Sequence, residues 1–179
     1  HREVFAKAKI SLPFLTKKKA EIGFGIADIK DEYMPSNIIN LDNPLFDIND
    51  MTVTIVYQVK GSGTKSLSSM RAGDKIDVLG PLGKGYSLDS SYKKVLLVGG
   101  GIGIYPLYSV ASSYIDSDVK IDAVLGFRTK DLMTYEDEFN KVCSDITIVT
   151  DDGSYGQSGT VIQPMLDKLT SSNYDMVYV

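Results

Sequence analysis

Hydrophobic positions change their period once along this chain, near its middle. In the first half Val4, Ala6, Ala8, Ile10 and Leu12 alternate with Phe5, Lys7, Lys9 and Ser11, which is the period-two signature of a half-buried strand. Ala20, Ile22, Phe24 and Ile26 alternate in the same way, with Gly23 and Gly25 on the other face, where a bulge or a close neighbour fits. Ile38 to Leu41 predicts a short third strand. Met51, Val53, Ile55, Tyr57 and Val59 give the cleanest alternation, and Lys75 to Leu79 adds a strand after the turn Ala72-Gly73-Asp74. No helical pattern interrupts this half, so it predicts a small antiparallel barrel.

Beyond Tyr92 the pattern switches. Val95 to Val98 predicts a buried strand, Ile104 to Ile115 a helix, Ile121 to Gly126 a strand, Leu132 to Val142 a helix and Ile146 to Thr150 a strand. Val161, Ile162, Met165, Leu166 and Leu169 then mark one helical face before a last strand at Met176 to Val179. Strands alternating with helices predict a parallel sheet covered on both faces. The chain is thus expected to divide near Ser90, into an antiparallel β-barrel over residues 1–90 and an α/β domain over residues 91–179.

The second half is organised around Lys94 to Leu107, where the apolar strand runs into Gly99, Gly100 and Gly101 and then a helix start. Glycines in such a turn let the backbone approach a ligand, and a helix N-terminus presents N–H groups and a positive dipole end to a phosphate. A nucleotide is the guest this arrangement suits. The dinucleotide fingerprint Gly-x-Gly-x-x-Gly is not matched, because Gly101 and Gly103 are followed by Pro106 at the third position. Proline suits a first helical turn, where its missing N–H has no partner to lose. A plain strand-to-helix turn without ligand is the alternative.

Composition narrows the classes. With 179 residues, 43% of them hydrophobic, the chain can build a substantial core. A net charge of -4, with no basic cluster longer than Lys17 to Lys19, argues against a nucleic-acid surface. No apolar run approaches a membrane span and His1-Arg2-Glu3 opens no apolar signal core, so a cytoplasmic setting is the expectation. One cysteine and one histidine cannot build a zinc or iron-sulfur site from this chain alone. Cys143 reads as a small core residue, and Glu136-Asp137-Glu138 as a solvated helix face near an N-terminus.

Three further stretches carry candidate chemistry. Gly61-Ser62-Gly63-Thr64 follows the best strand, where its amides and the Thr64 hydroxyl suit a pyrophosphate; a hairpin loop with no ligand fits the spacing equally well. Gly126-Phe127-Arg128 stands at the carboxyl end of a parallel strand, where a dinucleotide's ribose is read. Arg128 suits an adenine face or a phosphate, or simply solvent. Thr150-Asp151-Asp152-Gly153-Ser154-Tyr155-Gly156 closes the next strand on the same edge. Gly80-Pro81-Leu82-Gly83-Lys84-Gly85-Tyr86 reads as a connector between the halves.

An antiparallel barrel followed by a domain opened by Gly-Gly-Gly-Ile-Gly-x-x-Pro resembles the ferredoxin reductase superfamily. Within it, Val56-Tyr57-Gln58-Val59 leading to Gly61-x-Gly63-Thr64, then Asp77 to Gly85, Gly126 to Lys130 and Thr150 to Gly156, are similar to one branch. That branch is the electron-transfer subunit of two-subunit dihydroorotate dehydrogenase, and the resemblance runs from about Pro35 to Val179. It implies an FAD-binding barrel, with Tyr57, Gln58, Val59, Gly63 and Thr64 at the flavin, and an NAD(P)H-binding domain with Gly100, Gly101, Gly103, Pro106, Arg128, Asp152 and Gly153 at the nucleotide. Two departures stand out. The superfamily's Arg-x-Pro-x-Ser strand should follow Pro44-Leu45-Phe46, where Asp47-Ile48-Asn49-Asp50 stands instead. The superfamily branch also continues past a strand like Tyr174 to Val179 into a cysteine-rich segment holding a two-iron, two-sulfur cluster, which here needs residues outside this sequence.

The resemblance implies electron transfer among NADH, FAD and that cluster, in a hetero-oligomer whose catalytic flavoprotein partner oxidises dihydroorotate to orotate in pyrimidine biosynthesis. No side chain of this chain need act as acid or base, and none is expected to bind a metal. NADPH is favoured by Arg128 with no acid just after it, NADH by the resemblance. The alternatives are an NAD(P)H-oxidising subunit of another complex of the superfamily, of hydrogenase or sulfide dehydrogenase type, and a nucleotide-binding module whose flavin site has decayed.

Overall fold

A computed structural model describes residues 5–11, 46–47, 52–72, 74–76 and 85–179. The chain divides into two compact units, His1–Tyr86 and Ser87–Val179.

In the first unit the alternating segments form β1 (Phe5–Ser11) and β3 (Thr52–Gln58), paired antiparallel along their whole length from Phe5 opposite Gln58 to Ser11 opposite Thr52. On the other side of β3 lies β2 (Phe46–Asp47), opposite Val53 and Thr52. The alternation analysis places no strand at Phe46; two residues are too few to show a period. The expected strands at 20–26 and 38–41 lie outside the described residues. So do residues 77–84, which carry most of the expected Lys75–Leu79 strand and of the glycine connector; Lys75 and Ile76 are not in a strand.

A helix does interrupt this half, contrary to expectation. Helix α1 (Ser62–Ser69) starts directly after Gly61. Its only apolar residue is Leu67, so no hydrophobic period announces it. Local bonding fixes its start instead. The Thr64 hydroxyl accepts the Lys60 and Gly61 amides (2.9 and 3.1 Å) and donates to the Gly61 carbonyl (3.2 Å).

The second unit holds a five-stranded, all-parallel sheet in the order β7-β6-β5-β4-β8. Its strands are β4 (Lys94–Gly100), β5 (Lys120–Phe127), β6 (Asp145–Thr150), β7 (Gln157–Ser158) and β8 (Met176–Tyr178). Val95 to Val98 and Ile121 to Leu125 are buried on both faces, which is why they read as continuous apolar runs. Leu96, Val98, Val124 and Val149 form one core face, packed against Val161 and Met165 of the α4 region (Ile162–Ser171) and against Tyr174 and Val177. On the opposite face lie α2 (Ile104–Ser112) and α3 (Glu136–Val142), with Ile104, Leu107, Val110 and Phe139 buried. Burying each such side chain contributes about 1.5–3 kcal/mol.

Two helices differ from their expected spans. α2 ends at Ser112, three residues early; there the Ser113 hydroxyl (2.9 Å) and amide (3.1 Å) both bond back to the Ser109 carbonyl, and the amide also reaches the Val110 carbonyl at 3.2 Å as the last turn tightens. α3 begins only at Glu136. Residues Lys130–Leu132 form a separate 3-10 turn, and Tyr135 takes a left-handed conformation (φ 64, ψ 14) that cannot continue a helix.

At the amino edge of the sheet, Lys94 Nζ lies 2.9 Å from Asp122 Oδ2, and the Tyr174 hydroxyl donates to the same oxygen at 2.6 Å. Asp175 Oδ2 accepts the Lys93 and Lys94 amides (2.7 and 3.0 Å). These bonds hold the lead-in to β8 beside β4. Burial acts to raise the Asp122 carboxyl, but Tyr174 and Lys94 outweigh it and the group is held below the ordinary carboxylate value. Nearby, Tyr178 donates to the Ser87 carbonyl (2.8 Å), so Tyr114 donates to Tyr178 (3.0 Å) and itself accepts the Asp89 amide (3.2 Å). This closed circuit ties residues 87–89 to Tyr114, just past the end of α2, and to β8.

Candidate functional site

The order β5-β4-β8 means the chain leaves β4 to one side and returns on the other. In open α/β sheets, ligands bind at the carboxyl ends beside such a reversal. The carboxyl end of β4 is Gly99-Gly100, followed by a 3-10 turn at Gly101–Gly103 and then α2.

The glycines there answer to different demands. A side chain at Gly99 would collide with Leu107 of α2, so this glycine lets the helix sit on the strand. Gly100 pairs with Gly126 of β5, whose carbonyl would lie 3.3 Å from an added Cβ. Gly101 has φ +54, a conformation that itself favours glycine, and an added Cβ would meet nothing within 4 Å. Gly103 has helical φ -66 and an added Cβ there also meets nothing within 4 Å. Among the described residues, no contact and no backbone angle requires glycine at 103. Pro106, exposed, occupies the first turn of α2.

The turns after β5 and β6 are bonded to one another at the same edge. Arg128, exposed, follows Phe127 directly, and its carbonyl accepts the Asp152 amide at 3.3 Å. The Lys130 amide donates to Ser154 Oγ at 2.8 Å. Asp152 Oδ1 accepts the Ser154 hydroxyl (2.6 Å) and amide (3.0 Å), and these bonds, the hydroxyl first, hold its carboxyl below the ordinary value. Gly153 and Gly156 both have positive φ (69 and 65). Thr150, fully buried, donates its hydroxyl to the Tyr155 carbonyl (2.7 Å) and accepts the Tyr155 amide (3.0 Å).

The seven expected nucleotide residues of the second unit, Gly100, Gly101, Gly103, Pro106, Arg128, Asp152 and Gly153, therefore lie on or next to the turns at one sheet edge. In the first unit, Tyr57 is buried near the end of β3, Gln58 and Val59 are half-buried beside it, and Gly63 and Thr64 stand in the first turn of α1. Gly63 is thus a helical residue where a loop was expected. The sequence did not show that four side chains pair at this edge. The Tyr105 and Thr134 hydroxyls lie 2.8 Å apart, and the Tyr155 hydroxyl donates to Glu136 Oε1 at 2.9 Å. Glu136 is half-buried and bonded, where a solvated helix face was expected. Aromatic residues in a helix start and in a turn carry no sequence signal of meeting.

Among the described residues, no group of three or more His, Cys, Asp or Glu is placed to hold a metal ion, and no helix is long and apolar enough to cross a membrane. Cys143 caps the end of α3, and burial first, then the Asp122 charge, pushes its thiol up to about 12. It is a poor nucleophile there.

A parallel sheet with a glycine turn at its reversal, preceded by a unit of antiparallel strands, is the ferredoxin reductase-like fold, and the chain has that fold. The cytochrome b5 reductase domain of Ulva prolifera nitrate reductase shares the fold, with TM-score 0.58 at 16% identity over 76% of this chain and 66% of that one. The chain is similar to the electron transfer subunit of dihydroorotate dehydrogenase B (NAD(+)) from Geobacillus sp. (strain WCH70), with 42% identity over 134 residues, 74% of this chain and 51% of the relative. It therefore spans about half the length of the curated relatives it matches. It is also similar to the NADH-dependent reduced ferredoxin-NADP oxidoreductase, a structure described for flavin-based electron bifurcation, at 36% identity and TM-score 0.65 over 73% of this chain and 47% of that one. No family model matches the chain.

Proposed function

We propose that this chain is part of an electron-transfer flavoprotein subunit that passes electrons between NADH, FAD and an iron-sulfur cluster, serving a catalytic flavoprotein partner that oxidises dihydroorotate to orotate. The observation that carries the reading is the space at Gly103. A glycine that neither its backbone nor packing against the described residues requires, at the reversal point of a parallel sheet, is accounted for by a ligand backbone lying against it. Its neighbours Arg128, Asp152 and Gly153 then frame the nicotinamide nucleotide at the same edge. In the first unit, the exposed start of α1 beside Tyr57, Gln58 and Val59 suits the FAD pyrophosphate, with Thr64 holding the Lys60–Gly61 backbone in place.

The residues fit the cofactors. When bound, FAD and the nicotinamide supply the hydride chemistry, and the protein supplies position and polarity. The glycines let the nucleotide approach the sheet edge, and the bonded turns after β5 and β6 hold that edge in shape. An iron-sulfur cluster needs four cysteine ligands and the sequence holds one, so in this reading the ligands come from outside these residues. A cytoplasmic setting goes with the reading.

Reconstitution of the full chain with FAD, followed by visible absorption and stopped-flow reduction, tests it. A bound flavin spectrum bleached by NADH, and more slowly by NADPH, is expected. Failure to take up flavin overturns the flavoprotein reading, and a preference for NADPH overturns the choice of nucleotide. The 36% identity to the bifurcating oxidoreductase favours a second reading, an NAD(P)H-oxidising subunit of another complex of the superfamily. The partner separates the two, since only the first predicts dihydroorotate-dependent reduction of the flavin when a dihydroorotate dehydrogenase catalytic subunit is added.

A further inference from the structure

The entry to α3 is costly in its backbone. Tyr135 is the single non-glycine residue with positive φ among the described residues, and a left-handed conformation is unfavourable for a bulky side chain. Glycine or asparagine would adopt it at lower cost, so the ring itself must be needed. That ring stands edge-on to two tyrosines of α2, at 4.9 Å and 88° to Tyr105 and at 5.2 Å and 80° to Tyr108. The residues on either side of Tyr135 make the two bonds noted above. Thr134 meets Tyr105 in the first turn of α2, which follows the β4 glycines, and Glu136 accepts the Tyr155 hydroxyl from the β6 turn. Tyr155 is held on other sides too, through Thr150 and by the Lys130 ammonium 5.3 Å over its ring.

We propose that Thr134, Tyr135 and Glu136 form a brace that fixes the β4 and β6 turns relative to each other and so sets the nucleotide affinity of that edge without touching the nucleotide. This rests on the nucleotide-binding reading and deepens it. The sheet does not need the brace, because the parallel ladder and both core faces hold the strands. The turns do need it. Gly101 to Gly103 and Asp152 to Gly153 are exposed or half-exposed, and apart from the brace the β6 turn is tied to the β5 turn by the Lys130–Ser154 and Asp152–Arg128 bonds. Tyr105, Thr134, Tyr135, Glu136 and Tyr155 are therefore positioning residues.

The test is NADH titration of the full chain and of Tyr155→Phe, Glu136→Ala and their double variant, with thermal unfolding alongside. Each single variant is expected to bind NADH about fivefold more weakly, as a lost bond to a charged acceptor implies. The double variant is expected to be no weaker than either single one, since both remove the same bond. Tyr135→Gly, which relieves the backbone and removes the ring, is expected to bind more weakly. Unchanged affinity with a lowered melting temperature in Tyr155→Phe overturns the brace, as do additive losses in the double variant. Wild-type protein that fails to bind NADH overturns the nucleotide reading itself, and the brace with it.

Discussion

Gly103→Ala separates what the protein needs from what a ligand needs. The residue has φ -66 and ψ -14, which are helical values that alanine adopts freely, and the added methyl meets no atom of the described residues within 4 Å. Replacing glycine by alanine at a compatible position stabilises by about 0.4–1 kcal/mol, because the unfolded chain loses freedom. A slightly raised unfolding midpoint for the second unit is therefore expected. Binding should move the other way. If a nucleotide lies against this turn, the methyl intrudes on it at a cost of about 1–3 kcal/mol, and 1.4 kcal/mol is about tenfold in affinity. Chemical unfolding and NADH titration on the same preparation give both numbers. Unchanged NADH affinity with normal stability would falsify the assignment of this space to a ligand; a loss of more than about 1 kcal/mol of stability would refute the packing argument.

Gly126→Ala should behave oppositely to Gly103→Ala, since its Cβ would stand 2.6 Å from Val161 Cγ1; a loss of about 1–3 kcal/mol is expected, partly restored by Val161→Ala, and a neutral effect on unfolding would refute the close contact. Asp122→Asn should cost about 1–3 kcal/mol at neutral pH in urea unfolding. Because the folded carboxyl lies below the unfolded value of 3.8, its contribution is complete above that pH and is lost as pH falls through the lower folded value, so the variant should flatten the acid limb of the stability curve. Cys143, half-buried where a core residue was expected, should react slowly with thiol reagents at neutral pH because its thiol is pushed up to about 12; rapid labelling of native protein would contradict that shift.

The parallel sheet was legible in the sequence because burial on both faces writes itself as unbroken apolar runs. Val95 to Val98 and Ile121 to Gly126 could hardly serve elsewhere, and the structure extends each by only one or two residues at either end. The turns at their carboxyl ends were legible through glycine, since Gly99, Gly101 and Gly126 stand where a side chain meets a neighbour or a forbidden angle. Short elements were not. β2 and β7 have two residues each, and α1 has one apolar residue, so none shows a period. Each forms because something else already stands beside it. β7 pairs with β6 after Gly156 turns the chain with φ 65 and the buried Thr150 hydroxyl holds both backbone groups of Tyr155.

What the sequence by itself determined was the order of strands and helices in the second unit and the edge at which its glycines gather. Those properties depend on residue type and near neighbours, which the chain states directly. What only the tertiary structure decided was which glycines serve packing and which leave room, and that Tyr105, Thr134, Glu136 and Tyr155 meet in pairs. Gly99 and Gly103 look alike in the sequence; they differ because Leu107 faces one of them and none of the described residues faces the other. Glu136 and Tyr155 are nineteen positions apart, and their bond exists because β6 and α3 lie side by side once the sheet has formed and Tyr135 has turned the chain. Such contacts follow from the packing of buried faces, which strands and helices acquire together and no single segment encodes.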